Sequence, residues 1–174
     1  MKYCTGIGSR AAKDMPDVYS YIWECGWEII ERTLYVLRSG GADGADLAFE
    51  TGYGEGEKEI YLPWKGFNKE NRKPSPYDIW DIPKEAEYIA SQIRPAWAVC
   101  DQAVKKLHSR NVCQILGKDL KTPSSKVVCW TKDGKKSGGT RTALVLAEEY
   151  NIPIYNIYNE YMDIEHFKGF LLGE

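Results

Sequence analysis

The chain reads as an α/β protein. The expected fold is a Rossmann-like three-layer α/β/α sandwich on a mainly parallel sheet of about five strands, in the order 3-2-1-4-5. Three observations predict it. Short apolar runs of strand length alternate with helix-length segments, the pattern of a parallel sheet covered on both faces. Glycine-containing loops follow three of those runs. The length of 174 residues, with 43% hydrophobic and 28% charged content, suits one ordinary core, so residues 1–174 are read as a single domain.

Lys2 to Ile7 is the first strand and runs directly into Gly8-Ser9-Arg10. Pro16 opens a helix to about Arg32, since a first-turn residue needs no N–H. Val18, Ile22, Cys25, Ile29 and Ile30 recur there at helical spacing and predict one buried face. Leu34 to Leu37 is a second strand, followed by Ser39-Gly40-Gly41-Ala42-Asp43-Gly44-Ala45-Asp46. A short helix from Leu47 ends at Gly52 or Gly54, and Lys58 to Leu62 is a third strand stopped by Pro63. Residues 64–83, rich in Pro, Asn, Lys and aromatics, read as a long loop or insertion; such length in a compact domain points to a functional segment. Lys84 to Leu107 is mostly helical with a break near Arg94-Pro95, and His108 to Leu116 extends that helix or begins another. Lys126 to Trp130 is the fourth strand, Thr131 to Gly139 a polar loop, Thr140 to Tyr150 a helix and Ile152 to Ile157 the fifth strand. The tail from Tyr158 is expected to pack on the surface.

Charge and cysteine content narrow the function classes. A formal net charge of -2 gives no general attraction to nucleic acid, so a nucleic-acid partner is not expected. The five cysteines are odd in number and form no C-x-x-C pair, so they read as reduced thiols. With His108 and His166 as the only histidines, neither a metal site nor a cofactor is expected. No signal-like or bilayer-length apolar run is found, which predicts a cytoplasmic protein without a membrane partner.

The chemistry is expected where the loops after strands one, two and four meet, at the carboxyl edge of the sheet near the switch between strands one and four. Gly8, Ser9 and Arg10 form the first loop. Ser39, Gly40, Gly41, Asp43 and Asp46 belong to the second. Gly138, Gly139, Thr140 and Arg141 lead into the helix after strand four. Glycine lets backbone approach a ligand, and a helix N-terminus presents unpaired N–H groups to an anion. Phosphate is therefore expected at the first and third loops. Asp43 and Asp46 suit ribose hydroxyls or a base, or cap the short helix. Glu50 lies one turn beyond Asp46; as a pair these carboxylates are acid–base candidates, or else a solvated helix face. His108, Arg110 and Asn111 crowd donors into four residues and join the candidate ligand contacts. No P-loop, G-x-S-x-G elbow or G-x-G-x-x-G fingerprint occurs.

The segments T-G-I-G-S-R at Thr5 to Arg10, R-S-G-G-A-D-G-A-D at Arg38 to Asp46 and I-Y-L-P-W at Ile60 to Trp64 resemble a phage and bacterial branch of the SLOG superfamily. That group includes the DNA-processing protein A Rossmann domain and the Lonely Guy enzymes. H-S-R-N at His108 to Asn111 and V-V-C-W at Val127 to Trp130 extend the resemblance over nearly the whole chain. It implies a Rossmann-like fold and a small nucleotide or nucleotide-derived ligand; a homodimer or higher homo-oligomer is compatible with it. Lonely Guy enzymes cleave a base from a nucleotide with P-G-G-x-G-T-x-x-E. Here Ser137 to Val145 stands at that motif, with Arg141 for its later glycine and Val145 for its glutamate. The resemblance thus leaves three functions: a nucleotide binder, an N-glycosidase using Asp46 or Glu50, and a single-stranded DNA binder.

Overall fold

The computed structural model describes residues 1–174. Six parallel strands form one sheet in the order β4-β3-β2-β1-β5-β6. They are β1 (Lys2–Gly8), β2 (Tyr35–Ser39), β3 (Lys58–Tyr61), β4 (Asp78–Ile79), β5 (Lys126–Trp130) and β6 (Ile154–Asn156). β1 is central, pairing Cys4 with Leu37 on one side and with Lys126 on the other. With β4 set aside, the remaining five strands follow the predicted order. β4 is the correction: it lies inside the segment read as a loop. Two residues are too short to carry a periodic signal. The strand exists because Ile60 N donates to Tyr77 O and Leu62 N to Ile79 O.

Helices α1 (Pro16–Arg32), α2 (Ala45–Tyr53) and α6 (Ile164–Leu172) cover one face of the sheet. Helices α3 (Lys84–Ile93), α4 (Gln102–Leu116) and α5 (Arg141–Glu149) cover the other. Ile22, Cys25 and Ile29 of α1 are fully buried, as their spacing predicts. The tail is the second correction. Helix α6 inserts Phe167 and Leu171 into the core beside Tyr155, so it is a structural helix and not a surface appendage. Ile164, Phe167 and Leu171 recur there at helical spacing and form the apolar stripe that packs toward α1.

The helical stretch from Lys84 does break at Arg94-Pro95, and α4 starts anew at Gln102. Asp101 caps it by accepting from Val104 N at 2.9 Å. His108 to Asn111 therefore sit mid-helix, where all four are buried. Arg38 of β2 is also buried and donates to Glu59 at 2.9 Å and to Thr122 O at 2.6 Å. It fastens β2 to β3 and to the α4–β5 connection. No helix is long and apolar enough to cross a membrane.

Candidate functional site

A cleft of about 780 Å³ opens at the carboxyl edge of the sheet, where the chain leaves β1 and β5 toward opposite faces. Such a switch point is where parallel sheets leave room for a ligand. Gly8, Ser9 and Arg10 form one wall; Gly138, Gly139, Thr140 and Arg141 form the facing one. His108, Arg110 and Asn111 enter from α4, and Asp46 from the first turn of α2. Eleven of the sixteen residues singled out in the sequence therefore converge, including Arg10 and Arg141, which are remote in sequence.

Four of the other five residues point elsewhere. Ser39 is fully buried and donates its hydroxyl to Gly6 O at 2.6 Å, tying β2 to β1. Gly41 faces Leu62 and Arg72. Asp43 accepts from the side-chain amides of Asn68 at 2.9 Å and Asn71 at 3.2 Å, beside the cleft. Glu50 is taken by a bidentate pair with Arg72, at 2.7 and 2.8 Å, and Arg72 also grips Asp78. The paired-carboxylate reading of Asp46 and Glu50 is thereby corrected: four residues apart on one helix, they face different partners. Gly40 contributes differently, through its lack of a side chain. A Cβ there would lie 2.3 Å from Gln114 Nε2, 2.7 Å from Asp46 Oδ2 and 2.9 Å from Arg110 Cζ. Any larger residue would displace the cluster on the cleft floor.

Asp46 does not cap its own helix. Its oxygens accept from Gly8 N at 3.1 Å and Ala42 N at 3.4 Å, joining the first two loops. Burial pushes its carboxyl up to about 6, while Arg110 and the two N–H groups pull it down. Arg110 is only 5% exposed. Its Nη1 donates to Gly40 O at 2.6 Å and Tyr61 O at 2.9 Å, and its Nε to Asn111 Oδ1 at 2.7 Å. All three acceptors are neutral, and burial brings the guanidinium down to about 10. His108 shares a hydrogen bond of 2.7 Å with Thr142. Burial, then Arg94, Arg110 and Arg141, depress its imidazole to about 4, so it is neutral at pH 7.

Arg94, Gln114 and Lys132 line the cleft as well. Gln114 carried a signal. His108, Asn111 and Gln114 recur every three residues on a helix otherwise filled by Val112, Cys113, Ile115 and Leu116, which marks a polar stripe on a buried helix. Arg94 carried none, because only the turn after α3 brings it over the cleft. In all, the cleft holds five cationic side chains, Arg10, Arg94, Arg110, Lys132 and Arg141, against the carboxylates Asp46 and Asp133. That imbalance arises in a chain of net charge -2. No three His, Cys, Asp or Glu side chains come together that could hold a metal ion. Comparison of the chain with protein-family models, with curated proteins and with solved structures gave no match.

Proposed function

We propose that the chain binds a nucleotide or nucleotide-derived phosphate ligand in this cleft, the ligand class that the SLOG resemblance implies. The observation that carries the reading is Arg110. A buried guanidinium whose hydrogen bonds all end on neutral oxygens has no counter-charge in contact, and the Asp46 carboxylate acts on it only from a distance. Burying a charge without one is costly, and an anion in the cleft would supply it. Arg10, Arg141 and Lys132 share the same space, as phosphate binding requires. The glycine-rich turn ahead of α5 adds helix N-terminal N–H groups. A panel of nucleotides, nucleotide sugars and inorganic phosphates should raise the melting temperature. Free ligand at 100 times Kd adds about 2.7 kcal/mol. No shift across the panel would refute the reading.

A second reading is favoured by one observation, the position of Asp46. A carboxyl lifted to about 6 titrates near neutrality, as a general base or acid should. An N-glycosidase would add water at the anomeric carbon as the bond to the base breaks, with Asp46 taking the water's proton and then yielding it to the departed base. Chromatography of nucleoside monophosphates incubated with the protein should then show free base, and Asp46→Asn should abolish it. Release that persists in Asp46→Asn would exclude Asp46 from that role.

A further inference from the structure

The main cleft does not end at Arg10. The same residue lines a second compartment of about 440 Å³, roofed by the excursion between β3 and β4. Trp64, Phe67 and Asn68 come from that excursion, and Asp43 from the loop after β2. Phe67 joins the two spaces physically. Its ring packs edge-on against Trp64 at 5.4 Å and lies 5.4 Å from the Arg110 guanidinium. Trp64 is thus two ring contacts, through Phe67, from the cleft floor.

The excursion is held in place and not left to wander. Arg72 clamps it to Glu50 of α2 and to Asp78 of β4 through a buried network. Asn68 donates to both Gly41 O and Asp43. Trp64 nevertheless keeps 38% of its surface exposed. A fixed aromatic ring presented to an open compartment is a stacking platform for a planar base. Asp43 completes the pattern. Its two oxygens receive one amide each, from Asn68 and Asn71, and a carboxylate has about four acceptor sites in all. It retains capacity for hydroxyl donors, and a ribose diol offers two.

We propose that this compartment takes the ribonucleoside end of the ligand, with the base on Trp64, the ribose diol on Asp43, and the phosphates passing Arg10 into the main cleft. The proposal rests on the phosphate reading of that cleft. It makes the Trp64 excursion a specificity element and not a passive loop.

Calorimetric titration can separate the two claims. The probes are pyrophosphate, the diphosphates ADP, GDP, CDP and UDP, and the 2′-deoxy form of the tightest of these. At least one ribonucleoside diphosphate should bind the parent about tenfold tighter than pyrophosphate, the usual effect of one stacked base. Its 2′-deoxy form should lose about tenfold, as expected for a lost hydrogen bond to a charged group. Trp64→Ala should remove most of the preference over pyrophosphate, and Trp64→Phe should keep much of it. Asp43→Ala should erase the ribo-over-deoxy preference. The parent comparisons need no variant and stand even if a substitution disturbs the excursion. Pyrophosphate binding with no gain from any nucleoside, or a full preference surviving in Trp64→Ala, overturns the compartment and leaves the cleft intact. Failure of every probe, pyrophosphate included, overturns the cleft reading itself.

Discussion

Arg10 and Arg110 test different aspects of the cleft. Arg10 is exposed, so Arg10→Ala should leave the melting temperature unchanged. One lost charge-assisted bond should weaken phosphate binding about tenfold by calorimetry, since ~1.4 kcal/mol is tenfold. Arg110→Ala should cost affinity and stability together. It strips the donor from the carbonyls of Gly40 and Tyr61, and a buried unpaired carbonyl costs about 1–3 kcal/mol. Arg141 already spends one donor on Ile93 O at 2.9 Å, so its removal should weaken binding less than that of Arg10. Asp46 and His108 make opposite contributions to acid stability. Asp46 has its folded pKa raised to about 6, so it favours the fold most below its unfolded value and loses that contribution as pH rises through 6. His108 has its folded pKa lowered to about 4, so its contribution is present above about 6.5 and is lost as pH falls through 4. Between pH 6 and 4 the two offset. Denaturant titrations across that range should show Asp46→Asn losing stability more steeply than the parent on acidification, and His108→Gln less steeply. Equal slopes for all three would contradict both assignments. At this scale much of the site was legible: glycines, Arg10, Arg141 and the His108 to Asn111 cluster are chemically conspicuous. The direction of a helical carboxylate was not. Asp46 and Glu50 look alike in sequence, and only the position of Arg72 separates them.

The excursion between β3 and β4 depends on one buried ion network. Arg72, Glu50 and Asp78 are each nearly inaccessible, and removing the shared cation leaves Glu50 with only Lys58, 4.0 Å away, and Asp78 with only the Ser75 N–H. Breaking such a network typically costs about 3–5 kcal/mol. Arg72→Ala should therefore unfold at lower denaturant, and proteolysis of the native variant should cut first between residues 64 and 77. A variant as resistant as the parent would show that backbone pairing of β3 with β4 suffices. This segment also marks the limit of reading elements from pattern. α1 and β5 were clear because each carries a full period of apolar residues. β4 was not, because it is held by Arg72 and two ladder bonds, and the burial of α6 was not, because the surface that takes up its apolar stripe is created by α1 and β6. Both depend on tertiary partners that local propensity does not encode.

For the whole molecule, the strand order was predictable because right-handed crossovers leave few arrangements for alternating strands and helices. The cysteines give a global test of the packing. Cys4, Cys25, Cys113 and Cys129 are buried free thiols, and Cys100 is partly exposed in the turn before α4. Burial lifts Cys4, Cys113 and Cys129 to about 12, so they stay protonated and inert in the folded state. Intact-mass analysis after brief alkylation at pH 8 should show one adduct on native protein and five after denaturation without reductant. More than one native adduct would mean that the sheet opens far more readily than its packing implies. The central position of β1 bears on how the molecule comes to be made. Its partners are β2, close behind in the chain, and β5, whose Lys126 lies beside Cys4. During synthesis the first three strands emerge and can pair while one side of β1 remains bare. Pairings so distant in sequence form slowly, and a bare strand side invites other chains in the interval. The cleft, which needs the loops after both β1 and β5, is therefore assembled late, and a nascent chain cannot hold its ligand until β5 has emerged.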